Sequence, residues 1–272
     1  MKISKFIKRG LLVVASVMLV MVALMFFYVS DLRTTDAATP NNPEKARALL
    51  EEMGKAHGIS SWGGITSYQV IFGDEFYGTI GTNSTPFAEP KTQLAISHDI
   101  PRSSGQLEIL TGEEKGTIWG YDNGDTYVLD NAGNKVPTDS KDIKFWIPTY
   151  WYFAEFAFRI QEATAVEYVG TGTIKGHEVE GVLASWNTVK PQEDIDQYIV
   201  WIDSSTKRIV KVEYTIREMF PFLTGAAYFE EYKTFGDILL PTKFPVESNL
   251  VGDGLLHQMS ILDFKDTSKE KK

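Results

Sequence analysis

The stretch QYIVWIDSSTKRIVKVEYTIRE, residues 197–218, decides the fold. Its polar centre, residues 203–207 (DSSTK), contains the residue types that favour a tight turn. After the turn apolar and polar residues alternate, and the apolar residues on one face are Val210, Val212, Tyr214 and Ile216. Before the turn, residues 199–202 (IVWI) are apolar on both faces. We therefore predict a pair of antiparallel strands that is covered on both sides.

The same alternation of apolar and polar residues predicts strands throughout the chain after residue 65. These strands are expected at 66–72, 92–98, 106–110, 117–121, 126–129, 165–169, 178–186, 197–202, 209–216, 227–232, 244–248 and 256–264. Short connections rich in Asn, Asp and Gly join many of them, as hairpins require. About a dozen strands joined in this way predict one antiparallel sheet that is strongly curved or nearly closed.

Two helices are expected beside this sheet, which gives an α+β fold class. The first is predicted at 43–57, with Pro43 in its first turn and Gly58 as its stop signal. The second is predicted at 148–162, where a polar stripe of Glu155, Arg159 and Glu162 lies opposite an apolar face. That apolar face comprises Tyr150, Phe153, Phe156, Ala157 and Ile160. The large residues Trp151, Tyr152 and Phe158 flank the stripe. They are either covered by loops or offered to a ligand, a partner or a membrane interface.

The N-terminal region predicts membrane attachment. Residues 11–29 (LLVVASVMLVMVALMFFYV) form an apolar run long enough to cross a bilayer as a helix. Basic residues at 2–9 precede the run, so residues 1–10 are expected in the cytoplasm and the rest outside, in the periplasm of a cell with two membranes. We interpret 11–29 as a retained signal anchor, with a cleaved signal peptide as the alternative. Residues 30–43 then form a linker, 44–266 the domain, and 267–272 a disordered charged tail.

Composition excludes several classes of partner and site. Residues 36–272 carry 22 Lys and Arg against 35 Asp and Glu, a net charge of −13 before histidines. Such a domain has no electrostatic footprint for nucleic acid. The chain has no cysteine, which excludes disulfides and thiolate metal sites.

Signals of catalysis are missing from the sequence. There is no nucleophile elbow, phosphate-binding loop or zinc-protease motif. The four histidines, His57, His98, His177 and His257, fall on separate predicted elements without metal-ligand spacing. We therefore predict no enzyme activity, no metal and no cofactor.

A family resemblance is carried by residues 145–250. A strand ends in Trp-Ile-Asp at 201–203, a polar turn follows, and the next strand returns through Ile209, Val210 and Val212. A later strand precedes the segment 236–241 (GDILLP). This order resembles the LolA/LolB-like superfamily of bacterial lipoprotein carriers. The resemblance implies an incomplete, half-open β-barrel whose concave face is covered by helices and encloses an apolar cavity for acyl chains.

We accordingly expect a membrane-anchored extracytoplasmic domain that binds an acyl chain, a lipid or a lipoprotein. The residues expected to line the cavity are Tyr150, Trp151, Phe153, Phe156, Trp201 and Tyr214. A protein-interaction or sensory module of the same fold, with a filled core, is the alternative. A hydrolase that uses a pocket carboxylate is the third possibility. It would require a histidine to meet two acids in the cavity.

Overall fold

The computed structural model describes Ser16 and residues 28–33 and 42–269. The predicted membrane segment 11–29 lies outside the described residues except for Ser16, Tyr28 and Val29. Residues 34–41 of the predicted linker and 270–272 of the predicted tail also lie outside them. Among the described residues, none of the helices combines the length and the hydrophobicity needed to cross a bilayer.

The described residues fold into a large sheet with short helices around it and one long helix against it. The helices are α1 (Pro43–Ala56), α2 (Ile59–Trp62), α3 (Gly78–Ser84) and α4 (Lys141–Arg159). The strands are β1 (Ser67–Phe76), β2 (Lys91–Asp99), β3 (Ser104–Ile109), β4 (Ile118–Asp122), β5 (Asp125–Leu129), β6 (Lys135–Thr138), β7 (Ala165–Ile174), β8 (His177–Ser185), β9 (Tyr198–Asp203), β10 (Ile209–Thr215), β11 (Thr224–Tyr228), β12 (Lys233–Phe235), β13 (Ile238–Leu240), β14 (Lys243–Ser248) and β15 (Gly254–Asp266).

The main sheet is antiparallel throughout and remains open. Its 13 strands follow the order β6-β5-β4-β3-β2-β1-β15-β14-β11-β10-β9-β8-β7, while β12 and β13 pair separately. The edge strands β6 and β7 are not paired with each other, so the curved sheet does not close. The chain crosses from one edge to the other through α4, which follows β6 and precedes β7. This connection places α4 against the concave face.

Each of the predicted strands is present, although their bounds differ by a few residues. Three strands, β6, β12 and β13, were not predicted. β6 is an exposed edge strand that contains Pro137, and proline is tolerated in a sheet mainly at an edge. β12 and β13 have three residues each, too few to show alternation.

Helix α1 confirms the predicted first helix and its signals. The Asn42 side chain accepts a hydrogen bond from the Lys45 amide, and Pro43 occupies the first turn. Gly58 follows with a φ of +73°, and a Cβ there would lie 2.2 Å from the Asp237 carbonyl oxygen. Glycine is therefore required both by the backbone conformation and by the close approach of the β12–β13 turn.

The hairpin of β9 and β10 confirms the antiparallel pair predicted at 197–218. Lys211 lies opposite Trp201, and Tyr214 lies opposite Tyr198. The predicted shared face of Val210, Val212 and Tyr214 needs one correction. The register shifts between Ile209 and Lys211, and Ile209 joins Val212 in the main core cluster in place of Val210. A bulge adds one residue to a strand, which shifts the alternation by one position.

The end of the domain is more ordered than expected. The Thr267 amide donates a hydrogen bond to the Ser67 carbonyl, and the Ser268 hydroxyl accepts from the amides of Thr66 and Ser67. The first residues of the predicted disordered tail are therefore fixed to the start of β1. Their backbone extends the pairing of β1 with β15.

Candidate functional site

Helix α4 is the element that fills the concave face. Its N-cap is Ser140, whose hydroxyl accepts from the Ile143 amide at 3.3 Å, and Asp142 lies in the first turn. The helix therefore starts seven residues before the predicted start at Pro148, which lies inside it. The prediction placed the start of the helix at Pro148 because proline is most frequent in the first turn, and this start was wrong. The end at Arg159 is followed by a 3-10 turn through Glu162.

The curved sheet surrounds α4, so that no residue from Phe145 to Arg159 is exposed. Along one side of the helix, Phe145, Thr149, Tyr152 and Phe153 remain half-buried. The curved walls of the sheet cover Trp151, Tyr152 and Phe158. A helix on a flat sheet would leave these three side chains in water. Curvature accounts for the aromatic residues that flank the polar stripe.

Five of the six predicted site residues lie between α4 and the concave face. Tyr150 packs on Phe72, and Trp151 stacks on His98 with ring centroids 3.8 Å apart. Phe153 contacts Phe244 and Tyr214, while Phe156 contacts Tyr198 and Phe229. Tyr214 also lies near Tyr198 on this face. The residues come from α4 and from strands on both sides of β1, and the fold brings them into one aromatic layer.

Trp201 is the exception, and its predicted place on the concave face is wrong. It packs with Val169, Leu183 and Ile199 in a second cluster on the convex face. Gly181 lies opposite Trp201, and a Cβ at Gly181 would lie 2.7 Å from the indole ring. Because residues 199–202 are apolar on both faces, the sequence does not indicate which face Trp201 occupies. In β9, Val200 and Ile202 face α4.

A second glycine makes room for a site residue on the concave face. A Cβ at Gly105 would lie 2.8 Å from the Trp151 ring and 2.0 Å from the Ser97 carbonyl oxygen. The Trp151 indole N–H donates to that same carbonyl at 2.9 Å. Gly105 therefore lets the indole lie flat between His98 and β3. The missing Cβ of Gly105 and the hydrogen bond to Ser97 together fix the position of the Trp151 ring.

Glu155 is the main residue that sequence reasoning misplaced. It was expected on an exposed polar stripe, but it is completely buried. Its carboxylate accepts from the Tyr68 hydroxyl at 2.6 Å and from Arg159 Nε at 2.6 Å, and it contacts His98 Nδ1 at 2.5 Å. Burial by itself raises the pKa of Glu155, but the hydrogen bond from His98 and the charge of Arg159 outweigh burial and hold the pKa below its ordinary value. Glu155 is therefore a charged link between α4 and the strands β1 and β2.

A second buried carboxylate ties the preceding part of α4 to the sheet. Asp74 of β1 accepts from the Tyr150 hydroxyl at 2.6 Å and contacts His257 Nδ1 of β15 at 3.1 Å. Burial together with the Asp74 charge raises the pKa of Tyr150 well above its ordinary value, so the phenol remains a donor. The two carboxylates, one on the helix and one on the sheet, fix α4 at positions 150 and 155.

The sequence does contain a signal for these buried polar residues. In β1 the inward side chains are Tyr68, Val70, Phe72, Asp74 and Phe76, and in β2 they include Leu94, Ile96 and His98. A polar residue in an otherwise apolar set of alternate positions points into the core and needs a partner there. The alternation locates Asp74 and His98 on the inner face, but their partners on α4 are decided by tertiary packing.

Among the described residues, the buried histidines are not arranged as the hydrolase hypothesis required. The buried residues His98 and His257 each contact one carboxylate, and the buried His57 contacts only backbone groups. The hydrolase hypothesis required two acids at one histidine. His98 Nε2 is buried without a hydrogen-bond partner among the described residues, so no nucleophile is positioned on it there. In the same described part of the chain, no group of three His, Asp or Glu side chains could hold a metal ion.

Side chains fill the space between α4 and the sheet. Ile147, Tyr150, Ala154 and Phe156 are each less than 5 % exposed and pack into the main core. A groove of 640 Å³ lies instead on the outside, between α1 and the start of β7, where Arg47 and Val166 line it. The concave face of the open, curved sheet is thus filled by the protein's own helix.

The open, curved antiparallel sheet with a helix on its concave face is similar in fold to solved structures of lipoprotein-sorting and LolA superfamily proteins. A domain of an outer membrane lipoprotein-sorting protein from Vibrio parahaemolyticus matches 82 % of this chain and 93 % of its own length, with a TM-score of 0.53 and 14 % identity. A LolA superfamily protein from Nitrosomonas europaea matches 81 % of this chain and 92 % of its own, with a TM-score of 0.52 and 12 % identity. A DUF1329 family protein from Desulfovibrio piger matches 84 % and 94 %, with a TM-score of 0.50 and 10 % identity.

The chain therefore has a LolA-like fold, as the sequence resemblance implied. No family model matches the sequence, and no curated protein does. At this level of identity the likeness concerns the fold, and function has to be argued from the site.

Proposed function

We propose that this protein is a membrane-anchored extracytoplasmic domain that binds the acyl chain of a lipid or of a lipid-modified protein between α4 and the sheet. The observation that carries the proposal is the aromatic layer on the concave face, spanned by one helix that hydrogen bonds fix at Tyr150, Trp151 and Glu155. The apolar run at 11–29 supports the anchor.

The energetics favour an acyl chain as the ligand of such a surface. Each methylene removed from water contributes about 0.8 kcal/mol, so about eight buried methylenes contribute on the order of 6 kcal/mol before association costs. This gain needs no charge or hydrogen bond from the ligand. It fits a site whose two buried carboxylates, Glu155 and Asp74, are already paired with side chains of the protein.

The filled interior corresponds to a closed form in this proposal. A ligand has to displace Phe153 or move α4 as a whole. Phe153 is a half-buried residue of α4, and its ring lies against Phe244 and Tyr214 of the sheet. The contacts of Glu155 and Tyr150 then act as the closing interactions. Their strength determines how readily the site opens.

The second candidate is an interaction or sensory module with the same fold and a permanently filled core. The dense packing of Ile147, Tyr150, Ala154 and Phe156 favours it. In that case α4 is a core helix, and any partner binds elsewhere on the surface.

A photoreactive, clickable fatty acid supplied to cells that express the full chain separates the two candidates. For a lipid-binding domain we expect covalent adducts on peptides that contain Phe153, Phe156 or Tyr214, and none on the convex-face residue Trp201. Phe153→Asp should abolish these adducts because a carboxylate in the cavity must lose its hydration. Leu262→Asp, at an exposed convex position, is the control and should keep them.

The midpoint of unfolding of each variant decides how the result is interpreted. If Phe153→Asp loses labelling while its unfolding midpoint stays close to that of Leu262→Asp, the acyl-chain site is supported. If the wild-type protein gives no adduct on α4 or on the facing strands, the acyl-chain proposal is wrong and the filled-core module replaces it.

A further inference from the structure

One end of the sheet concentrates exposed apolar side chains. Of the eight large hydrophobic side chains that are exposed among the described residues, six lie at the end where β10 and β14 finish and β15 begins. They are Tyr28, Ile80, Met219, Phe220, Leu250 and Leu255. The other two, Val136 and Leu262, lie elsewhere. Apolar exposure this concentrated marks an interaction surface.

The centre of this surface is a pair of adjoining loops. Met219 is 46 % exposed in the loop between β10 and β11, and Leu250 is 40 % exposed in the turn between β14 and β15. The Asn249 side chain joins the two loops, since it donates to the Phe222 carbonyl at 3.0 Å and accepts from the Thr224 amide at 3.2 Å. We call the side chains of Tyr28, Met219 and Leu250 the apolar end.

The chain that leaves the apolar run is fixed to the same loops. Ser30 is 5 % exposed, and its amide donates to the Pro221 carbonyl at 3.0 Å. The Arg217 guanidinium donates to the Ser30 hydroxyl at 2.9 Å and also to the Ser30 carbonyl. Leu32 continues the attachment through its amide, which donates to Gln197 at 3.0 Å. Residues 30–32, expected in a free linker, are therefore part of the domain surface.

This attachment sets the distance between the apolar end and the apolar run. Ser30 directly follows residue 29, the last of the 19 apolar or small residues at 11–29. No free linker separates them, so a run that occupies a bilayer holds the loop at Met219 at the level of the bilayer surface. Two cations lie at this attachment: Arg217 is buried and bonded to Ser30, and Arg33 is paired with Asp31 at 2.6 Å. The surface is thus apolar rather than cationic, which suits uncharged lipid interfaces.

We propose that the apolar end inserts into the interface of the bilayer that holds residues 11–29, and so fixes the orientation of the domain on the membrane. The inference rests on the proposed anchor at 11–29. The inferred orientation places the start of α4 near the membrane, because Trp146 of α4 contacts Phe76 and His257 at this end of the sheet. A lipid that leaves the bilayer would reach the start of α4 first.

The absence of native cysteine makes a direct test possible. Single cysteines at Met219, Leu250 or the control position Leu262 are introduced into the full chain and labelled with the fluorophore NBD. Each labelled protein is reconstituted into phosphatidylcholine vesicles that contain a spin-labelled phosphatidylcholine quencher, and vesicle flotation is measured on the same samples. We expect most of the fluorescence at 219 and 250 to be lost and that at 262 to persist. Adding Leu250→Asp should restore fluorescence at 219, whereas Leu262→Asp should not.

The alternative outcomes are distinct. Full fluorescence at 219 and 250 in protein that floats with the vesicles would overturn the inference and leave the anchor intact. Equal quenching at all three positions would also overturn it, because the domain would then have no preferred orientation. Failure of the chain to float would refute the anchor and the inference together.

Discussion

At the residue scale, Glu155 shows how strongly the environment decides the role of a side chain. Its neighbour Glu162, two turns further along, is exposed, whereas Glu155 is completely buried and serves Tyr68, His98 and Arg159. Both residues belong to the same helical stripe in the sequence. The difference arises because the curved sheet covers α4 at position 155, whereas Glu162 lies in the 3-10 turn beyond the end of α4.

Replacing Glu155 by Ala should destabilise the protein strongly. The change leaves the Tyr68 hydroxyl and His98 Nδ1 buried without their acceptor, which costs about 3–5 kcal/mol of unfolding free energy. Glu162→Ala is the matched control and should change stability by less than about 0.5 kcal/mol. Urea unfolding of both variants measures the difference. Equal stabilities would show that Glu155 does not hold α4.

His57 should make stability depend on pH. Its Nδ1 contacts the Leu239 carbonyl at 3.2 Å and its Nε2 accepts from the Ile209 amide at 3.3 Å, an arrangement that needs the neutral ring. Burial lowers the pKa of His57 from 6.5 to about 4. Between these values the unfolded chain binds the proton and the folded chain does not, so stability falls as the pH decreases.

The size of this effect can be measured against a variant without the imidazole. From pH 7.5 to pH 5 the His57 contribution to the unfolding free energy should fall by about 2 kcal/mol. His57→Gln retains a donor and an acceptor but does not titrate, so its loss over the same range should be smaller by that amount. Parallel pH dependences in the two proteins would contradict the neutral, buried assignment.

At the element scale, short polar turns set the register of the sheet. The Asp203 carboxylate accepts from the amides and hydroxyls of Ser205 and Thr206 and contacts His177 at 2.9 Å. Burial raises the pKa of Asp203, but these hydrogen bonds outweigh burial and hold it well below its ordinary value. Lys207 then turns the chain at a φ of +58°. The side chain of one aspartate thus organises the turn that joins β9 to β10.

Asp203→Ala should weaken this hairpin. Loss of the charged acceptor leaves the turn donors without a partner and should lower the unfolding free energy by about 2 kcal/mol. Ser204→Ala, at the exposed neighbouring position, is the control and should have little effect. Thermal unfolding of the two variants provides the comparison. A midpoint for Asp203→Ala equal to that of the control would contradict the role of the turn.

At the scale of the whole molecule, the net charge of −13 in residues 36–272 gives the domain no attraction to anionic lipid. In the proposed function, membrane retention therefore comes from apolar surface, mainly from residues 11–29. The full chain should remain in the membrane fraction after alkaline carbonate extraction, with its C-terminus accessible to protease only from outside. Recovery of a soluble chain that begins near Ala37 or Ala38 would show cleavage and contradict retention.

Features of this fold that depend on neighbouring residues were predictable from the sequence. Alternation of side chains predicted the strands from β1 to β15 with three exceptions, because residues two apart share a face whatever they pack against. The start of α1 at Pro43, its stop at Gly58 and the β9–β10 turn were also predictable, since each depends on residues close in sequence. The apolar pattern of α4 predicted an aromatic layer on the concave face, and Phe153, Phe156 and Tyr214 belong to that layer.

Tertiary structure decided the rest. The sequence by itself determined that this chain forms a curved antiparallel sheet with a LolA-like order of elements and carries an apolar segment at 11–29. It did not determine that Trp201 lies on the convex face, that Glu155 is buried, or that Ser30 is fixed to Pro221. Each of these depends on contacts between residues distant in the chain, which local periodicity does not encode. For Glu155 the physical reason is the curvature of the sheet, which covers the flank of α4 and buries a side chain that the helical stripe alone would place at the surface.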